Sequence, residues 1–400
     1  MPKSAPSASP IFPEPQIITT TEALAALCAK LVHEPFVTVD TEFVRERTYY
    51  PELCLVQLGG TDDVAVVDAL APGLDLSPLA TLLDAPECVK VLHAARQDLE
   101  IFLHLFGRLP VALFDTQVAA MVAGYGDQVG YDNLVGAITG VAIDKAHRFS
   151  DWSARPLSAA QIAYAAADVT HLRLVYVALR DELARAGRLD WADAEQAVLR
   201  DTTLYRPDPS TLWERLRPRV NNRRVLGVLR EIVAWREREA QTLDLPRQRL
   251  IRDESLLEIS ANQPATAEAL ARVRGLTRGF AEGRSGQGLL GAIRIAKALP
   301  EDDLPRAPRR HEGAKPSSAM VALLKVLLAA QCEMHKVAPK LVASSDDLDK
   351  LALGETDIAP MQGWRRSVFG DEAQALLRGE LALGAGPRGI RLIRTTSSDA

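Results

Sequence analysis

Apolar and β-branched residues concentrate at 36–43, where Phe36-Val37-Thr38-Val39 runs straight into Asp40-Thr41-Glu42-Phe43. Residues of this kind favour a pleated strand, along which side chains at i and i+2 share a face. Asp40 and Glu42 are therefore expected side by side at the end of a strand with buried flanks. Two more apolar runs follow closely, Leu53–Leu58 and Val64–Val67, with Gly59-Gly60-Thr61-Asp62 as the turn signal between them. Such short separators predict antiparallel pairing, because a parallel crossover needs about a dozen residues or more. Just upstream, Thr21–Val32 carries Leu24, Leu27 and Leu31 at helical spacing.

The rhythm then changes. A helical stretch at Leu74–Leu83 leads to a strand at Cys88–Leu92 and a helix from about Ala94 to Phe106. A short fifth strand near Val111–Phe114 runs into a helix opening at Asp115-Thr116, and a long amphipathic helix covers Gln161–Ala184. Three antiparallel strands followed by alternating helix and strand predict a mixed α/β sheet with helices for both faces.

Strand-like runs end near Arg200. Residues 206–298 read as helices at Thr211–Leu216, Asn222–Asp244, Asp253–Ala261, Thr266–Val273 and Gln287–Ala298, broken by Pro246 and Gly275. A Pro- and charge-rich linker at 299–316 separates them from a second helical group at 317–385, and a tail follows at 386–400. The two groups repeat one order of signals. A long opening helix comes first (Arg223–Glu239, Ser318–Lys336). Then come Leu245-Pro246-Arg247 and Val337-Ala338-Pro339-Lys340, followed by Asp253-Glu254-Ser255-Leu256-Leu257 and Ser345-Asp346-Asp347-Leu348. An internal duplication is the economical explanation.

Composition narrows the class. Four hundred residues imply two or three domains, and 47% hydrophobic with 25% charged residues is ordinary for a globular protein. The four cysteines lie far apart without a C-x-x-C, so neither a zinc site nor a disulfide framework is expected, and a cytoplasmic location is. The Pro- and Ser-rich first fifteen residues predict a disordered N-terminus without a secretory signal. No stretch reads as the roughly twenty apolar residues needed to span a membrane, so none is expected to. The net charge of −5 is unevenly spread: 206–297 holds 18 Lys/Arg against 11 Asp/Glu, a local +7 that leaves −12 elsewhere. An acidic half joined to an Arg-rich segment suggests metal-binding chemistry in one part and polyanion binding in the other.

The candidate chemistry begins with Asp40 and Glu42. Two adjacent carboxylates repel unless one is neutralised or a cation lies between them, and a hard divalent ion suits oxygen ligands. Alone, the pair also reads as a strand emerging into solvent. Asp98 lies early in the helix after the Cys88–Leu92 strand, at the sheet edge where open α/β proteins place their sites, although an acid near a helix start is also an ordinary dipole partner. Tyr164 and Asp168, at i and i+4, share one face of the long helix, with three alanines between them leaving room for close approach.

Taken together, these residues carry a resemblance. Val39-Asp40-Thr41-Glu42-Phe43 with Arg47-Thr48-Tyr49-Tyr50-Pro51 is the first motif. His93-Ala94-Ala95-Arg96-Gln97-Asp98-Leu99 is the second. Tyr164-Ala165-Ala166-Ala167-Asp168-Val169, preceded by Ser150-Asp151-Trp152-Ser153-Ala154-Arg155-Pro156-Leu157, is the third. The chain resembles the DEDD superfamily of 3′→5′ exonucleases in its tyrosine-bearing subclass, and within it the ribonuclease D family. The resemblance covers roughly 15–200 and extends more weakly to the helical groups, which are similar to tandem HRDC modules. It implies a ribonuclease-H-like exonuclease domain over 16–203, followed by all-α HRDC bundles at 206–298 and 317–385.

It further implies two divalent ions, Mg²⁺ or Mn²⁺, held by Asp40, Glu42, Asp98 and Asp168. Asp40 would bridge them, and Tyr164 would orient the attacking water. Thr41, Phe43, His93, Lys145 and Trp152 are implied contacts to the terminal nucleotide. For His93, Lys145 and Trp152 a structural histidine, a solvated loop lysine and a core tryptophan are equally open readings. Arg247, Arg249, Arg252, Arg272, Arg274 and Arg278 are candidate phosphate contacts. The implied activity is trimming of single-stranded RNA 3′ ends, tRNA precursors among them, to 5′-mononucleotides by a monomer. A DNA exonuclease with the same residues, or a nucleic-acid-binding adaptor with a decayed nuclease, are the alternatives. The latter would have lost a metal ligand, and none is lost.

Overall fold

The computed structural model describes residues 13–216, 218, 220–306, 315–387 and 389–395. Most of the 1–15 stretch expected to be disordered lies outside these residues, as do the middle of the 299–316 linker and the end of the 386–400 tail.

Six strands form the first sheet: β1 (Gln16–Ile18), β2 (Phe36–Val44), β3 (Glu52–Gly59), β4 (Val64–Asp68), β5 (Val89–Leu92) and β6 (Leu113–Asp115). Their spatial order is β1-β4-β3-β2-β5-β6. β3 runs antiparallel to both β2 and β4, and β5 and β6 extend the sheet parallel to β2. The sequence pattern led to five strands. The sixth, β1, is three residues long, follows Pro13 and Pro15, and pairs parallel with β4 at the edge, where proline is tolerated.

Seven helices accompany the sheet: α1 (Thr21–Leu31), α2 (Ser77–Asp84), α3 (Arg96–Phe106), α4 (Thr116–Ala123), α5 (Tyr131–Thr139), α6 (Ala159–Arg185) and α7 (Leu189–Gln196). Val37 and Val39 of β2 join Leu24 and Leu31 of α1, Leu79 and Leu82 of α2, and Leu99 and Phe102 of α3 in one core. The alternate positions Thr38, Asp40 and Glu42 turn to the opposite face, which α6 covers. A capping box of Ser158 and Gln161 starts α6. Thr38 Oγ1 donates to the Val169 carbonyl at 2.7 Å, clamping α6 onto β2. Gly59 makes this approach possible, since a Cβ there would collide with Thr38 Oγ1.

The next segment packs α8 (Arg223–Thr242), α9 (Arg247–Leu250), α10 (Asp253–Asn262), α11 (Ala267–Leu270), α12 (Arg278–Glu282) and α13 (Arg284–Ala298) around Trp213, Leu229, Ile232 and Leu289. Its tie to the sheet domain is the loop after β2. Tyr49 donates its hydroxyl to Glu237 on α8, and the Tyr49 and Tyr50 N–H groups donate to Asp244 Oδ1 at 2.9 and 3.1 Å.

The last segment packs α14 (Ser318–His335), α15 (Pro339–Val342), α16 (Ser345–Ala352), α17 (Gly363–Arg365) and α18 (Asp371–Leu377) around Leu324, Leu327 and Phe369. It is not all-α. A hairpin of β7 (Leu381–Gly386) and β8 (Gly389–Arg394) closes it, with Leu381 in the core, so part of the expected tail is ordered strand. This segment leans on the sheet domain through Trp364, stacked on Trp191 of α7 at 4.6 Å.

By length and composition alone α6 and α14 are long and apolar enough to cross a membrane, a test that buried core helices also pass. Here α6 buries Ala165, Val169, Leu172 and Leu179, and α14 buries Leu324, Leu327 and Leu328.

Candidate active site

A cleft of about 350 Å³ opens at the end of β2 and β5, and every residue lining it comes from 40–172. Asp40 and Glu42 enter from β2, where a register shift between Glu42 and Phe43 disturbs pairing with β3. Bulges of this kind re-aim side chains next to active sites. Asp168 comes from α6, and one carboxylate oxygen each from Asp40, Glu42 and Asp168 lie within 4.8 Å of one another. Asp98, on the first turn of α3, lines the same cleft outside that tight trio, its Oδ1 accepting from the Thr41 hydroxyl. Tyr164 lines it one helical turn before Asp168.

The electrostatics follow from crowding acids into a half-buried space. Burial first, then the charges of Asp168 and Asp98, raise Glu42 to about 9. Burial raises Asp98 and Asp168 to about 7, and Asp40 is raised by burial and by the three other acids. Burial first, then the charges of Asp168, Glu42 and Asp40, push the Tyr164 phenol upward, keeping it a neutral donor. The donor set is all hard oxygen, and its mutual repulsion is what a divalent cation would relieve. The cluster thus fits divalent-metal use.

The remaining expected contacts divide. Thr41, Phe43, His93 and Lys145 line the cleft. The His93 ring lies 5.4 Å from that of Tyr131, with Nδ1 3.0 Å from the Thr116 hydroxyl. Lys145 pairs with Asp132 at 2.6 Å. Trp152 is not on the wall. It is 3% exposed and packs with Leu55, Val66 and Ala165 beside Tyr164, ring centroids 6.0 Å apart. Its motif positions α6: Arg155 ties the loop before that helix to Asp68 on β4 at 2.6 Å. Arg247, expected at phosphate, is instead committed to Glu237 (2.6 Å) and the Tyr49 hydroxyl (2.8 Å). Arg278 pairs with Glu282.

Other residues of the site escaped sequence reasoning. Asp115 caps α4 and also accepts from the Ala94 and Ala95 N–H groups at 3.1 and 2.9 Å, holding the turn from β5 to α3. Ala94 there has φ +56°, a left-handed conformation that non-glycine residues hold at some cost. Tyr131 donates to the Asp168 carbonyl at 2.5 Å and lines the cleft. Its signal was a Gly-Tyr-Asp opening a helix that the sequence pattern did not resolve. Arg148 adds a cation at the rim, 5.5 Å from the fully exposed Phe149 ring.

An acid-lined cleft at the ends of two interior strands, covered by a helix that supplies both a carboxylate and a phenol, is the arrangement of a 3′-5′ exonuclease. A family model described as 3′-5′ exonuclease matches residues 15–184, and one for the HRDC domain matches 225–293. The chain is 69% identical to ribonuclease D of Gluconacetobacter diazotrophicus, covering 93% of this chain and 95% of that protein. It is 65% identical to ribonuclease D of Granulibacter bethesdensis, covering 96% and 98%. The crystal structure of Escherichia coli RNase D, described as an exoribonuclease involved in structured RNA processing, superposes with a TM-score of 0.78. That match has 32% identity and covers 91% of this chain and 99% of that one. The chain belongs to the ribonuclease D family and is a 3′-5′ exoribonuclease.

Proposed function

We propose that the enzyme removes 5′-mononucleotides from single-stranded RNA 3′ ends, tRNA precursors among them, working as a monomer with two divalent ions, Mg²⁺ or Mn²⁺. The observation that carries this reading is the convergence of Asp40, Glu42 and Asp168 within 4.8 Å, with Asp98 and Tyr164 in the same cleft. When bound, such ions supply charge neutralisation at the phosphodiester and acidify water. The four carboxylates, Asp40 among them, would hold them. Tyr164 donates a hydrogen bond that orients the attacking water, and Trp152 behind it fixes its ring. Thr41, Phe43, His93 and Lys145 would bind the terminal nucleotide. Arg148 and the exposed Phe149 ring offer the charge and stacking surface that single strands favour.

Both helical segments are read as HRDC modules, the second being a duplicate of the first that acquired a hairpin. Of the arginines on the first, Arg252 and Arg274 line a shallow cavity and remain candidates for phosphate contact.

Labelled single-stranded RNA and DNA, with Mg²⁺ or EDTA, test the assignment. Asp40→Asn and Asp168→Asn are expected to abolish hydrolysis while RNA binding survives. Tyr164→Phe is expected to slow the reaction by about 100-fold or more without removing metal. Near-normal turnover in either Asp→Asn variant would eliminate the metal assignment.

A further inference from the structure

Gln57 lies in the middle of β3 and is fully buried. Its register partners are Asp40 on β2 and Val66 on β4. Residues directly opposite in an antiparallel pair project to the same face, with Cβ atoms about 5 Å apart. The Gln57 amide therefore shares the α6-facing surface with the Asp40 carboxylate. Val66 stands opposite it on β4, and the apolar clusters formed under α6, Leu55 and Val66 with Ala165 and Val64 with Ala166 and Val169, draw on β3 and β4. Neither its Oε1 nor its Nε2 has a hydrogen-bond partner among the described residues.

A buried amide with both ends unpaired lowers stability, and a leucine or methionine of similar volume would fill the same space without that cost. Packing alone gives no reason for glutamine at this position. The neighbouring hydroxyls are already used, that of Thr41 on Asp98 and that of Tyr131 on the Asp168 carbonyl. Gln57 holds an unspent N–H donor on Asp40's own face.

We infer that Gln57 is a positioning residue for Asp40: once a cation is bound, its unspent amide N–H would donate to the Asp40 carboxylate and hold it in place for coordination. The inference rests on the reading of Asp40 as a metal ligand. Groups of this kind, one step behind a ligand, typically change metal affinity by about 10–100-fold when removed.

The test uses the full chain and Gln57→Met, with Gln57→Leu as a second variant in case one packs poorly. Calorimetric titration of the metal-free proteins with Mn²⁺ is expected to show about 10-fold weaker binding in the variants. Their melting temperature in EDTA is expected to be equal to the parent's or a few degrees higher, since an unpaired polar group has been replaced. RNA affinity in EDTA should not change. A purely structural glutamine would give the opposite pattern, a lowered melting temperature with the parental Mn²⁺ affinity, and that result would overturn the inference. Unaltered Mn²⁺ affinity with raised stability would overturn it equally. Should the parent protein itself show no saturable Mn²⁺ binding, the metal-site reading fails first, and the titration separates that failure from one confined to Gln57.

Discussion

Each carboxylate of the site is an ordinary residue whose neighbours make it behave unusually. An unfolded chain titrates its Asp and Glu side chains near pH 4. In the fold Asp98 and Asp168 hold protons up to about 7 and Glu42 up to about 9. Between these limits the folded state binds more protons than the unfolded one, so unfolding releases protons. The stability of the metal-free enzyme is therefore fully present below about pH 4 as far as these groups are concerned. It is lost as pH rises through 7 towards 9. A cation that replaces the protons removes this penalty and binds better at higher pH. Melting temperatures across pH 6–9 are expected to fall with pH in EDTA and to flatten when Mg²⁺ or Mn²⁺ is added; a profile independent of both would show that the four acids do not share one field. These acids were readable in the sequence because D-x-E at a strand end and Y-x-x-x-D on a helix are local patterns. Asp115 and Tyr131 were not, since one looks like any helix cap and the other acts through the backbone of a residue 37 positions away.

Between elements, the loop following β2 carries the coupling. Asp40 and Glu42 lie on the strand that leads into it, and its far end is bound to α8 through Tyr49. Glu237, with its side chain 1% exposed, accepts from both Tyr49 and Arg247, and the Arg247 guanidinium also lies 4.7 Å over the Tyr49 ring. Burial opposes the charge on Glu237, yet these hydrogen bonds hold it below its usual titration range. Removing one partner of such a buried set leaves the others unpaired. Glu237→Ala is expected to cost about 3–5 kcal/mol and Tyr49→Phe about 1 kcal/mol, measured by urea unfolding. A change within about 0.5 kcal/mol for Glu237→Ala would mean the interface is as dispensable as an ordinary surface pair. Sequence reading assigned Arg247 to RNA because an arginine beside a turn in a basic segment looks free. Its real partners come from residues 237 and 49, which no local pattern brings together. The β7–β8 hairpin was missed for a related reason: Leu381-Ala382-Leu383-Gly384-Ala385-Gly386 has weak strand propensity, and packing of Leu381 beneath it decides the outcome.

Across the whole molecule, chemistry and support are segregated. The cleft draws its walls entirely from residues 40–172, while the basic excess sits in 206–297 and the final segment packs on α4 and α7. That last contact is substantial. Trp364 stacks on Trp191 and donates its Nε1–H to Glu195 at 2.9 Å. Arg365 pairs with the same glutamate at 2.5 Å. Arg188 donates to the His335 and Lys336 carbonyls, and the Ala338 N–H donates to the Met121 carbonyl. Deleting everything after Lys297 uncovers Trp191, Met121 and Glu195 and removes Leu341 from the cluster behind Tyr131 and Ile143, but it removes none of the residues that line the cleft. The truncated chain is expected to keep its turnover on a short single-stranded RNA at low temperature, because the acids and Tyr164 are unaffected. Its melting temperature is expected to drop by several degrees, since two stacked indoles and a buried glutamate lose their partners. RNA affinity is expected to keep its dependence on salt, as the retained 206–297 segment carries the positive charge that releases counterions on binding. Turnover lost in proportion to the folded fraction would assign the segment a supporting role. Turnover lost while the chain remains fully folded would mean that the second helical segment completes the path of the RNA into the cleft.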